Sequence, residues 1–97
     1  MQIIRDGEVM DIKQEDLQRF WTWCGCFHHR SIDLNLIYEY AIPKLNSKNM
    51  AVTLIIFDGC RCLIHVLENG YIYSWDAPTP TEALYNAIMK VIDNEVK

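Results

Sequence analysis

The four cysteines and three histidines are the residues of this chain with the most chemistry within reach. Cys24-Gly25-Cys26 runs straight into Phe27-His28-His29, and Cys60-Arg61-Cys62 lies farther along. Together these groups hold enough sulfur and imidazole for tetrahedral zinc. The spacing argues against it, because structural zinc loops place about two to four residues between cysteines so that the chain can wrap the metal. In an extended strand, moreover, Cys60 and Cys62 fall on one face beside Ile64 and Val66, while His65 falls on the other. That face reads as core, where free cysteine behaves as a small apolar side chain. We therefore expect buried thiols, no metal and no cofactor.

Cys26 stands two residues from His28, which places a thiol and a base in contact range. A reactive thiolate also needs a positive, partly open setting and a third group to orient the base, and the sequence offers none. Isolated glycines exclude the common phosphate-binding loops, and no H-E-x-x-H or G-x-S-x-G pattern occurs. Asp58 and Glu68 sit beside turn glycine or asparagine and read as solvated turn residues. No catalytic residue is expected, and the chain reads as a non-enzyme.

The densest unusual patch is Trp21 to Arg30. Trp21 lies on an apolar helical stripe and reads as core. Trp23, Phe27, His28, His29 and Arg30 are the candidate binding residues, because tryptophan, aromatic and arginine side chains at a helix end and loop commonly anchor interfaces. Tyr71, Tyr73 and Trp75 alternate along a strand and read as cover for a helix, not as a platform for bases.

These residues must be held by a fold. Gln2 to Arg5 and Glu8 to Ile12 flank Asp6-Gly7, a hairpin signal. Asp11 with Gln14 resembles a capping box, so a helix is predicted over Ile12 to Cys24, ended by Gly25. A second helix is predicted from Ser31 or Asp33, carrying the stripe Leu34, Ile37, Tyr38, Ala41, Ile42 and Leu45, with a kink or a C-terminal half-turn at Pro43. Three strands follow: Ala51 to Phe57, Cys60 to Leu67 and Tyr71 to Trp75. Their short connections force an antiparallel meander. Thr79-Pro80-Thr81-Glu82 combines an N-cap, a first-turn proline and a capping-box glutamate at the start of a last helix. Ala51 to Phe57 is apolar on both sides, so helices are expected on both faces of the sheet. An open face would point instead to an oligomer interface.

The class is thus α+β: a small antiparallel β-meander covered by helices on both faces, an α/β/α sandwich, in one domain spanning residues 1–97. The 51% hydrophobic content of the 97 residues supports a core and argues against disorder. With 13 acidic residues against 9 basic ones, the net charge of −4 argues against nucleic acid as a partner. The acids are too scattered to imitate DNA. No apolar stretch is long enough for a membrane helix, and Met1 to Asp6 do not read as a signal peptide. A cytoplasmic protein with reduced thiols is expected.

Trp21 and Trp23, then Ser31-Ile32-Asp33-Leu34-Asn35, Ile42-Pro43-Lys44-Leu45 and Thr79-Pro80-Thr81-Glu82-Ala83-Leu84-Tyr85-Asn86-Ala87-Ile88 together resemble the phage ABA sandwich domain family, over roughly residues 20–93. The resemblance implies a three-layer sandwich of phage or prophage origin, and it carries no catalytic residues to transfer. The function expected from it is a non-enzymatic phage protein that binds a host or phage protein, such as an inhibitor of a host defence system. The alternative is a binder that sequesters a signalling nucleotide, with Arg30, Arg61 and the aromatic residues meeting an acidic, stackable ligand. A zinc- or thiol-dependent enzyme ranks last. Homo-oligomers are compatible with either binding reading.

Overall fold

The computed structural model describes residues 2–5, 8–25 and 32–95. The elements in order are β1 (Gln2–Arg5), β2 (Glu8–Asp11), α1 (Gln14–Trp23), α2 (Leu34–Leu36), a π-helical segment (Ile37–Ala41), α3 (Ile42–Ser47), β3 (Met50–Ile56), β4 (Cys60–Val66), β5 (Ile72–Ala77) and α4 (Pro80–Glu95). β1 and β2 form the expected hairpin, antiparallel with Gln2 opposite Asp11. β3, β4 and β5 form the expected three-stranded antiparallel meander. The fold is α+β, as the pattern of elements predicts.

α1 starts later than expected. Asp11 is the last residue of β2, and Lys13, two residues farther on, takes the N-cap position without a side-chain bond. The hairpin's claim on Asp11 outweighs the local capping pattern. At the far end Gly25 has φ of +81°, which stops the helix where glycine alone is unstrained. Of the two expected starts, Ser31 and Asp33, it is Asp33 that caps α2, its Oδ1 accepting from the Leu36 N–H at 2.8 Å. In place of the expected kink or half-turn at Pro43, a π turn precedes the proline and helix continues through it. The Ile42 N–H reaches back five residues to the Ile37 carbonyl, widening the turn just before the ring that would crowd Glu39.

α4 is the centre of the molecule. Ala83, Leu84, Ala87, Ile88 and Val91 are fully buried, with Tyr85 and Ile92 nearly so. On one side α4 packs on β4 and β5, against Cys60, Cys62 and Ile64. On its other side it meets α1 and the π segment, through Leu17, Phe20, Trp21, Ile37 and Ala41. The Phe20 ring stands 5.7 Å from Tyr85 and 5.3 Å from Trp21, centroid to centroid. Each fully buried aliphatic side chain here contributes about 1.5–3 kcal/mol. Thr79 caps α4 as expected: its Oγ1 accepts from the Glu82 N–H and donates to the Glu82 carboxylate, each at 3.4 Å.

The layer order differs from the expected sandwich. Sheet, α4 and then α1 with the π segment lie in succession, so among the described residues helices cover one face of the sheet and not both. Val52 and Leu54 pair with Ile64 and Cys62 on the covered side. The opposite side of β3 carries Ala51, Thr53 and Ile55, and Ile55 is 43% exposed. Apolar residues on both faces of β3 therefore do not require two helical layers: the second set faces outward.

Candidate binding surface

The outer face of the sheet is a grid that the register fixes. Ile55, Arg61 and Asp76 form one cross-strand row, Thr53, Leu63 and Ser74 the next, and Ala51, His65 and Ile72 the third. Paired residues of an antiparallel sheet share a face, so these side chains stand together. Beyond the first row the β3–β4 turn carries Asp58 and Gly59, both at positive φ (52° and 117°), the backbone of a tight Asp-Gly hairpin turn. Phe57 precedes that turn and is 86% exposed.

At this end of the face lies an open depression of about 730 Å³, lined by Ile55, Phe57, Gly59, Arg61, Asp76 and Pro78 among others. Arg61 donates from Nε to Asp76 Oδ1 at 2.6 Å and from Nη2 to Oδ2 at 3.1 Å. The guanidinium bond holds the Asp76 carboxyl below its ordinary range, and the same bond raises Arg61. The fork–fork pair is exposed, so its contribution to stability is small, but it fixes two opposite charges among the apolar residues that line the depression. The depression can seat a side chain and its polar neighbours. Asp58 and Cys60 line it as well, the thiol nearly buried and turned toward the Pro78 carbonyl oxygen.

The residues proposed from sequence fall elsewhere. Trp23 is half-buried at the end of α1, and its Nε1 donates to Glu95 Oε2 at 2.7 Å. Lys48 reaches the same glutamate at 3.3 Å, and Arg19 bonds Asp16 and Asp93. Trp23 thus ties α1 to the end of α4, beside a groove of about 550 Å³ that also includes Gln18, Thr22 and Ile92. Phe27, His28, His29 and Arg30 lie outside the described residues.

The cysteines behave as core. Cys62 is fully buried, and that burial pushes its thiol up to about 12. Cys60 is 8% exposed, with Sγ 3.9 Å from the Pro78 carbonyl oxygen. His65 stands on the opposite face, as strand alternation requires. Among the described residues no three histidine, cysteine or acidic side chains converge on a metal-sized site. No described helix is long and apolar enough to cross a membrane.

Ile55, Phe57 and Ile72 are absent from the candidates named by sequence. Their signal was present in the two-sided apolarity of Ala51 to Phe57, which has two readings: a covered face or a contact face. Comparison with protein-family models, with curated proteins and with solved structures finds no match for this chain.

Proposed function

We propose that this is a small non-enzymatic binding protein that acts through protein–protein contact, using the open face of the β3–β4–β5 sheet and the β3–β4 turn. The observation that carries the reading is the exposure of Phe57, Ile55 and Ile72 (86%, 43% and 47%) on the side of the sheet that bears the Arg61–Asp76 pair. An aromatic side chain projecting from a rigid turn is a natural anchor for a partner's pocket, and a paired cation and carboxylate beside it reward a partner with matching polar groups. The partner is a protein surface with an apolar centre and a polar rim. The resemblance to phage ABA sandwich proteins supports a phage or prophage origin, a host or phage protein as the partner, and inhibition of a host defence system in the host cytoplasm as the task. The nucleotide reading gains no support at this face, where Asp76 already occupies the Arg61 fork.

The test compares three immobilised proteins in capture from host-cell extract: the native chain, Phe57→Asp with Ile72→Asp, and a His28→Ala, His29→Ala, Arg30→Ala variant. The substituted sheet residues are exposed, so circular dichroism should stay native. The reading predicts a specific captured protein whose retention falls at least about tenfold with the sheet-face variant, the cost of losing one or two anchors. Full retention by that variant, with loss in the loop variant, moves the contact surface to residues 25–30.

A further inference from the structure

The two edges of the three-stranded sheet are unlike. β5 is guarded: Asp76 charges it, and Lys90 of α4 lies 5.0 Å from the centre of the Trp75 ring and donates Nζ to the Ser74 carbonyl at 3.2 Å. β3, from Met50 to Ile56, carries no charge, proline or glycine, and β4 is the only described strand paired with it. Natural sheets commonly blunt an edge with charge, proline or a covering element, and an uncharged apolar edge recruits another strand.

Backbone direction along β3 follows from its ends. The Asn49 carbonyl accepts from the Leu67 N–H at 3.0 Å, and the Phe57 N–H donates to the Gly59 carbonyl at 3.0 Å. The odd-numbered residues between them therefore turn their polar groups toward β4. Alternation points the N–H and C=O of Met50, Val52, Leu54 and Ile56 away from it.

We propose that β3 pairs antiparallel with β3 of a second copy, about a two-fold axis at Thr53, joining the two sheets into one. The strand fits itself. Setting Met50 opposite Ile56 of the second copy, and Val52 opposite Leu54, bonds every outward-facing backbone group on both chains and leaves none over. The same register puts Thr53 opposite Thr53 on the outer face as a close, non-hydrogen-bonded pair, with Ala51 opposite Ile55. Two-fold symmetry makes the two halves of the contact identical. A sheet formed in this way also doubles the outer face.

Sedimentation velocity on the full chain across a concentration series reads the association. The native chain is expected to be dimeric at about 100 µM, a concentration at which even weak edge pairing is populated. Thr53→Lys sets two ammonium groups face to face at the axis and should shift the chain to monomer with an unchanged circular dichroism spectrum, because Thr53 is exposed. Thr53→Cys should form a disulfide-linked dimer on mild oxidation, since Cα atoms of such a pair stand about 4.5 Å apart, within the range a disulfide spans. The controls are the native chain, which has its own cysteines, and Ser74→Cys, equally exposed on the guarded edge. A native chain that stays monomeric, a dimer that survives Thr53→Lys, or cross-linking of Ser74→Cys as fast as Thr53→Cys overturns the proposal.

Discussion

Cys62 shows how burial sets chemistry at a single residue. Its thiol is held near 12 against an ordinary 9.0 because the thiolate would have to form inside the core. Tyr85, desolvated in the same core and facing Asp16, is also held up to about 12. For both groups the unfolded chain loses its proton first. Their contribution to stability is complete below pH 9 and is lost as pH rises toward 12. Thermal melts should therefore keep a constant midpoint to about pH 9 and fall progressively above it, and Cys62→Ala should weaken that fall. Cys62→Ser should cost about 1–3 kcal/mol in denaturant unfolding, because a hydroxyl without a matching partner replaces an apolar thiol. Much of this was legible in the sequence. Strand alternation alone separates Cys60 and Cys62 from His65, and the helical spacing that includes Trp21 marks it as core. Trp23 is harder, since its bond to Glu95 joins residues far apart in the chain, and no local pattern encodes it.

At the scale of elements, local chemistry succeeds where nothing competes with it. Thr79, Pro80 and Glu82 fix the start of α4, and Asp33 fixes the start of α2. Thr79→Ala should lower stability by about 0.5–2 kcal/mol in chemical denaturation, the cost of uncapping a helix whose first turn is buried. The Asp11–Gln14 pattern fails for the same physical reason that the first hairpin succeeds: Asp11 is already paired in β2 with Gln2. Pro43 signals a distortion but not its form, because relief by a π turn depends on how Ile37 and Ala41 pack against α4. The meander is legible from its short turns. Its open face is not, because apolar side chains on a strand specify that something covers them without specifying that the same chain does so. Phe57→Ala should accordingly leave the melting temperature within about 2 °C of native, as expected for a side chain whose surface is already in water.

The whole molecule is organised about one helix. α4 supplies the core for the sheet on one side and for α1 and the π segment on the other, which leaves the outer face of the sheet to the solvent. Ile88→Ala, at its centre, should be among the most damaging substitutions, at about 2–5 kcal/mol in denaturant unfolding, because its side chain is fully buried in the core. The outer face tolerates change in the monomer and is where partner contact is proposed. The most direct measurement is photo-cross-linking in the cells that express the chain, from a benzoylphenylalanine placed at Ile72, on β5 and away from the β3 edge, with the same group at the exposed Tyr38 on the helical side as control. The account predicts a discrete adduct between position 72 and a second, different protein, lost when Phe57 is changed to aspartate. Adducts from position 38 alone, or none from position 72, would contradict it.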